Sequence, residues 1–312
     1  MSLVFGINLC DRLYLSGDVR LTKRTSNGDV EAVKDKVIKV VPFTSSITGA
    51  FAGDAGMASF VARKLKAVIR PNLDIRGFQN NICGILSPFI DDYWKTINSA
   101  AKLIIIFGGL NRNARKTFPN FAEIDAKIKN YALLHKNSPS MQLKPAIFNE
   151  FLRANNQPLR YPEPADSHIF SVEAVPPTTL RIENADWGEY LAHGPNGIRK
   201  ESLDPIILGK LEFSGGIEVG VDNSMITAIL KSVAEQKGAQ TVGGPFFTVV
   251  IDEYTLGVVL GRIDRMSLLN MRSEFVSEIT EIRGLYYSKD ESGNSEKLIS
   301  IVDYKSFGGL EI

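Results

Sequence analysis

The N-terminal part of the chain carries short runs of β-branched and aromatic residues that are broken by polar turns. Residues 3–7 and 13–16 are two such runs, and their close spacing predicts a hairpin at the start of the fold. A polar loop over residues 22–29 precedes two further strand candidates, residues 36–42 and 46–53. Several strands before any helix exclude the strand–helix alternation with which a dinucleotide-binding fold begins.

Helical periodicity begins after Asp54, which is the expected N-cap of the first helix. Apolar residues then recur at helical spacing until Pro71 ends the run: Met57, Phe60, Val61, Leu65, Val68 and Ile69. A second helix is predicted over residues 75–99, and residues 102–107 return to a strand pattern.

The rest of the chain divides into an insertion, a second set of strands and a C-terminal segment. Residues 113–166 are rich in Asn, Lys and Pro, and we interpret them as an inserted, peripheral subdomain with helical fragments. The later predicted elements are strands at 168–175, 179–182, 246–251 and 255–260, helices at 225–233 and 266–278, and a hairpin across 290–294. This order of elements predicts an α+β sandwich of antiparallel sheets covered by helices.

Composition narrows the classes of function. Among 312 residues, 36 are Lys or Arg and 35 are Asp or Glu, and a net charge of +1 argues against a nucleic-acid or anionic-membrane partner. The longest apolar run, residues 103–109, is far shorter than a membrane span, so we expect a cytoplasmic protein without membrane contact. Cys10 and Cys83 are too few for a disulfide framework or a thiolate metal site.

Three histidines, His135, His168 and His193, are scattered along the chain without the spacing of metal ligands. Surface or locally hydrogen-bonded histidines are therefore the expectation. Neither a metal nor a cofactor is predicted.

Short sequence blocks in this order resemble the proteasome β-type subunits and their bacterial peptidase relatives. The blocks are Ser2-Leu-Val-Phe-Gly-Ile-Asn-Leu9, Leu15-Ser-Gly-Asp18-Val-Arg20, Lys36-Val-Ile-Lys-Val40, Gly49-Ala-Phe-Ala-Gly53, Leu103-Ile-Ile-Ile-Phe-Gly-Gly-Leu-Asn111, His168-Ile-Phe-Ser-Val-Glu173, Gly194-Pro-Asn-Gly197 and Val242-Gly-Gly-Pro245. The resemblance implies the four-layer αββα sandwich of the N-terminal nucleophile hydrolases. Residues 1–112 and 167–261 would form this proteasome-like core, 113–166 the helical insertion, and 262–312 a C-terminal extension with a helix and a hairpin.

The resemblance also implies four catalytic residues. Ser2 would be the nucleophile once Met1 is removed, and its own α-amine would be the base, since such an amine has a pKa of about 7.7 to 8.0. Lys36 matches the buried lysine that lowers the pKa of the nucleophile, and Asp18 matches its ion-pair partner. Gly53 matches the glycine whose backbone N–H stabilises the oxyanion.

Polar groups of the family pattern are replaced at two places. The Gly-Ser-Gly turn reads Gly194-Pro195-Asn196, and Asp-x-x-Ser-Gly-Gly reads Ala239-Gln-Thr-Val242-Gly-Gly. Two hydroxyls and a carboxylate near the predicted α-amine are therefore absent. The proton network around the nucleophile differs from that of the family.

The favoured hypothesis is a self-compartmentalising peptidase that acts on peptide or protein substrates. The resemblance implies a ring-shaped homo-oligomer and allows an ATP-dependent unfoldase as partner. Two alternatives stay open. A catalytically inactive ring or scaffold subunit would explain the lost hydroxyls, and a small-molecule amidohydrolase of the same fold would use the same N-terminal chemistry.

Overall fold

The computed structural model describes a large part of the chain. It covers residues 2–8, 12–24, 30–35, 37–97, 101–115, 165–176, 179–185, 190–194, 242, 246–252, 256–260, 262–266, 273–277, 279–282, 285–289 and 295–304. The insertion predicted over 113–166 lies almost wholly outside the described residues, and so does the helix predicted at 225–233.

Two helices and nineteen strands are present in the described residues. Helix α1 spans Ala55–Val68 and helix α2 spans Ile75–Ile97. The strands are β1 (Val4–Asn8), β2 (Arg12–Asp18), β3 (Arg20–Arg24), β4 (Val30–Asp35), β5 (Val37–Ile38), β6 (Val40–Pro42), β7 (Ile47–Gly53), β8 (Leu103–Arg115), β9 (Ala165–Val175), β10 (Thr179–Ala185), β11 (Tyr190–His193), β12 (Phe246–Asp252), β13 (Leu256–Leu260), β14 (Arg262–Met266), β15 (Ser273–Ser277), β16 (Ile279–Ile282), β17 (Leu285–Lys289), β18 (Ser295–Lys297) and β19 (Ile299–Ser300).

The long strands form two five-stranded antiparallel sheets, with orders β11-β1-β2-β12-β13 and β10-β9-β8-β7-β6. Strand β1 pairs with β2 so that Val4 lies opposite Gly17, which confirms the predicted N-terminal hairpin. Strand β12 then pairs with the other edge of β2, and Thr248 lies opposite Ser16. Residues distant in sequence therefore meet beside the first hairpin.

Two layers of apolar side chains hold the elements together. The inter-sheet core consists of Val4, Leu13, Leu15, Val19, Ile38, Val40, Ala50, Ala52, Ile104, Ile106, Leu110, Ile169, Ala185, Leu191, Phe247, Val249, Ile251 and Leu298. A second core joins both helices to the sheet that contains β7, β8 and β9, and its largest members include Phe51, Phe78, Phe107 and Phe170. The alternation along β8 explains this division, because Ile104 and Ile106 face one core and Ile105 and Phe107 the other.

These described residues form a helix–sheet–sheet arrangement, so the predicted α+β class is confirmed. A second helical layer, as in the predicted αββα sandwich, is not seen among the described residues, and the helix predicted at 225–233 lies outside them. Neither described helix is both long and apolar enough to cross a membrane.

Helix α1 begins as predicted. The Asp54 carboxylate accepts a hydrogen bond from the Met57 N–H at 2.8 Å, which satisfies one of the free donors of the first turn. The Ile69 N–H donates to the carbonyl of Leu65 and closes the last turn, two residues before Pro71.

The helix predicted at 266–278 is wrong. Strands β14 and β15 occupy both ends of this range and pair with each other, with Ile263 opposite Val276. Each segment is only five residues long, and the antiparallel backbone pairing of the two segments overrides the helical spacing of their apolar residues. The strands on either side of residues 290–294, β17 and β18, pair antiparallel as a hairpin requires.

The C-terminal segment contributes directly to both cores. Strand β19 runs parallel to β5, and the Ile301 N–H donates to the carbonyl of Ile38 at 2.8 Å. Leu298 lies in the inter-sheet core, whereas Ile301 and Val302 lie in the helix-side core. Residues 298–302 are therefore part of the sandwich and are not an appendage to it.

We predict that Ile301→Ala lowers the free energy of unfolding by about 2–5 kcal/mol, because it opens a cavity where a side chain is 1% exposed. Ile299→Ala is the matched control, since Ile299 is 39% exposed and its truncation should change stability by less than about 1 kcal/mol. Urea unfolding of both variants measures the difference. Equal effects would show that residues 298–302 are not core.

Candidate active site

The start of β1 and the end of β2 meet at one end of the first sheet. The Asp18 N–H donates to the carbonyl of Leu3 at 3.2 Å, and the Leu3 N–H donates to the Asp18 carboxylate at 3.0 Å. Ser2 directly precedes Leu3 and is partly exposed. The predicted nucleophile and the predicted aspartate are therefore neighbours in the structure.

Asp18 is fully buried and forms an ion pair with Lys39, whose Nζ lies 3.2 Å from the Asp18 Oδ1 atom. Lys39 is only 4% exposed, and its Nζ also donates to the backbone carbonyl of Arg20. Removing both charges from water is costly, and such a pair persists only when each partner has further hydrogen bonds, as both have here. The result is a positive charge fixed beside the start of β1.

The sequence assigned the lysine role to Lys36, which lies outside the described residues. The lysine that the structure pairs with Asp18 is Lys39, and sequence reasoning missed it. A signal was present, because Lys39 is the single charged residue within the apolar run Val37-Ile-Lys-Val-Val41. A charged residue in such a run is rarely buried without a partner.

Gly53 ends β7 on the neighbouring sheet, close to Lys39, which lies between β5 and β6. The Phe51 N–H donates to the carbonyl of Lys39 at 2.9 Å. Gly53 follows Phe51 by two residues on the same strand. Its φ is 115°, a conformation in which a side chain would be strained. Helix α1 begins directly after it, and the helix N-terminus adds a partial positive charge at this point.

Asp54 ties the start of α1 to two tyrosines. It accepts a hydrogen bond from the Tyr93 hydroxyl at 3.1 Å. Burial raises the pKa of Tyr93 above its ordinary value, and the Asp54 charge adds to this shift. Burial and Asp54 also raise the pKa of Tyr304. Both phenols therefore remain neutral at physiological pH and serve as packing and hydrogen-bonding groups.

Arg20 connects the site to the region where the family pattern is altered. Its Nη1 atom donates to the carbonyl of Val242 at 3.2 Å. Val242 is buried, and it occupies the position that holds a serine in the pattern. Pro195, Asn196 and Ala239 lie outside the described residues.

Neither of the two described histidines is an exposed surface residue. His168 is 4% exposed and stacks on Phe170 at 5.9 Å between ring centroids. His193 lies directly opposite Val4 in the pairing of β1 with β11. No group of three potential metal ligands occurs among the residues described here.

Charged groups of the opposite sheet act on His193. Burial lowers its pKa below the ordinary value of 6.5, Glu183 and Glu173 oppose this shift, and Lys102 adds to it. Lys102 itself forms an ion pair with Glu173 at 2.5 Å. The imidazole of His193 is consequently neutral near pH 7.

One end of the sandwich therefore contains Ser2, the buried cation Lys39, and Gly53, which lies at the N-terminus of α1. A serine needs a base to become a nucleophile, and a nearby cation stabilises the alkoxide that forms. A backbone donor at a helix start is suited to stabilising an oxyanion. The geometry is compatible with acyl transfer.

Comparisons with known proteins do not identify a family for this chain. No family model matches the chain, and no curated protein matches it significantly. The matching solved structures include Anbu (ancestral beta-subunit) from Yersinia bercovieri, which is 10% identical over 80% of this chain and 81% of that chain, with a TM-score of 0.44. A likeness of this size leaves function to be inferred from the residues of this chain.

Gly53→Ala tests the constraint at the end of β7. A Cβ there would lie 2.2 Å from the Lys102 carbonyl oxygen and would have an unfavourable φ, so we predict a loss of about 1–3 kcal/mol or more in unfolding free energy. Gly84→Ala is the control, because no atom lies within 4 Å of its Cβ position in α2. That variant should gain about 0.5–1 kcal/mol in chemical denaturation.

Proposed function

We propose that the chain is an N-terminal nucleophile hydrolase that cleaves peptides with Ser2 after removal of Met1. The observation that carries the proposal is the buried Lys39–Asp18 ion pair, which is hydrogen-bonded to Leu3, the residue after Ser2. Apolar residues of similar volume often stabilise a core as well as a buried ion pair does, or better. Stability alone therefore does not account for the Lys39–Asp18 pair, and we assign it a role in the chemistry.

The proposed reaction begins when the neutral α-amine of Ser2 takes the proton of its own hydroxyl. The Oγ atom bonds to the carbonyl carbon of the substrate, and the carbonyl electrons move to the oxygen. The C–N bond then breaks as the leaving nitrogen takes the proton from the ammonium group. Water later attacks the ester, and Ser2 is released.

Lys39 replaces Lys36 in this proposal. Its ammonium group stabilises the developing alkoxide, and its positive charge disfavours a second positive charge on the α-amine. The Gly53 N–H and the start of α1 would stabilise the oxyanion of the tetrahedral intermediate. Asp18 keeps Lys39 charged and in place.

The substrate class and the assembly follow from the resemblance. Peptide or protein substrates and a self-compartmentalising ring are proposed, with an ATP-dependent unfoldase as a possible further partner. A scaffold subunit without activity is the competing proposal, supported by the replacement of two hydroxyls and a carboxylate in the sequence. A small-molecule amidohydrolase would share the Ser2 chemistry and differ in its preference for short amides.

Assembly can be tested separately from catalysis. We expect multi-angle light scattering at micromolar concentration to give a mass several times the single-chain value of 34.4 kDa. A mass that stays at the single-chain value from micromolar to tens of micromolar protein would exclude the ring, for the peptidase and the scaffold alike.

Catalysis is tested with a serine-reactive probe, such as a β-lactone, on protein whose Met1 removal has been verified by intact mass. We predict labelling at Ser2, complete loss in Ser2→Ala, and at least a 10²-fold slower reaction in Lys39→Ala. Lys36→Ala tests whether Lys36, the lysine assigned from the sequence, acts in place of Lys39. This variant should label close to the wild-type rate.

A folding control is needed because Lys39→Ala leaves the Asp18 carboxylate buried without its cation. The double variant Asp18→Asn, Lys39→Met removes both charges and keeps their volume, so it should melt cooperatively and still fail to label. Absence of labelling in processed, assembled wild-type protein would support the scaffold proposal instead.

A further inference from the structure

His193 lies near the proposed nucleophile on the same face of the first sheet. Residues opposite each other in an antiparallel pair point to the same side, and His193 is opposite Val4, a member of the inter-sheet core. Leu191, two residues earlier on β11, belongs to the same core. The alternation of strands therefore points the imidazole between the two sheets.

We infer the same orientation for Ser2 by continuing the alternation of β1 two residues beyond Val4. The paired backbone extends to Leu3, whose N–H and carbonyl both bond to Asp18, and Ser2 lies two residues before Val4. Ser2 and His193 are diagonal neighbours across the pair, a relation that corresponds to about 7–8 Å between backbones. An imidazole can span most of that distance.

The Nε2 atom of His193 is buried and has no hydrogen-bond partner in the part of the chain that the structure describes. A neutral imidazole has one nitrogen that accepts a hydrogen bond, and leaving a buried acceptor unsatisfied costs about 1–3 kcal/mol. The charged residues that face it from the opposite sheet are Glu173, Glu183 and Lys102. Once Met1 is removed, the Ser2 amine is a diagonal neighbour of His193 that has protons to donate.

We propose that the His193 imidazole accepts a hydrogen bond from the protonated α-amine of Ser2, a role that rests on the proposed hydrolase function. The proton taken from the Ser2 hydroxyl then stays on an amine held in one orientation until the leaving nitrogen receives it. His193 exchanges no proton with substrate, so it is a positioning residue. Its neutral form replaces part of the polar network that the sequence lacks.

The kinetic test compares three variants of Met1-free protein in the β-lactone reaction. His193→Leu should label about 10- to 10²-fold more slowly. His193→Gln should recover much of the rate, because its amide oxygen still accepts a hydrogen bond. His168→Leu, on the opposite sheet and about 17 Å along β9 from Glu173, is the matched control and should label at the wild-type rate if it folds.

The pH profile adds a result that a purely structural role would not give. Below the pKa of the amine the wild-type rate should fall tenfold per pH unit. Below the pKa of the imidazole it should fall a hundredfold per unit, because two groups must then lose a proton. His193→Gln should keep the tenfold slope throughout. An unchanged profile in that variant overturns the inference.

A titration of the His193 imidazole followed by nuclear magnetic resonance tests its proximity to the Ser2 amine without an activity measurement. A nearby ammonium should lower the pKa of His193 in Met1-free protein relative to protein that retains Met1. His168 should not shift. If the wild type takes up no probe, the proposed function fails, and the titration alone then tests the proximity of His193 to the amine. Identical His193 titration in both forms overturns the inference whatever the labelling shows.

Discussion

The buried ion pair between Lys39 and Asp18 constrains the other parts of the site. Two charges at 4% and 0% exposure are tolerated because they pair with each other and because each also has a hydrogen bond to the backbone. That arrangement needs the N–H of Leu3, the residue before β1, and the carbonyl of Arg20 at the start of β3. The pair thus fixes the start of the chain, the end of β2 and the junction between β5 and β6 relative to one another.

The two sheets hold this junction rigidly because they approach closely at glycines. A Cβ on Gly6 would lie 3.0 Å from Ile106, and one on Gly108 would lie 2.5 Å from Leu15. A side chain at either position would require the facing Ile106 or Leu15 side chain to shift within the inter-sheet core. The glycines that let the two sheets pack closely therefore also help to hold the strands of the site in position.

Local signals made much of the fold predictable. The first hairpin, the Asp54 cap and the two helices follow from periodicity and capping alone. The choice of Lys39 over Lys36 depends on which residue reaches Asp18 from another strand, and no local pattern reports that. The position of His193 beside β1 likewise results from pairing between residues far apart in sequence. The failed helix at 266–278 shows that a short apolar pattern is ambiguous until its pairing partner is known.

The parallel pairing of β19 with β5 has a consequence for the order of synthesis. Residues 299–300 are made long after β5, yet they pair with it next to Lys39. A chain that folds from its N-terminus as it emerges has to leave this part of both cores open until the last strand arrives. The strand next to Lys39 therefore gains its parallel neighbour only after residue 300 has been made, and a product terminated before β19 would lack that neighbour.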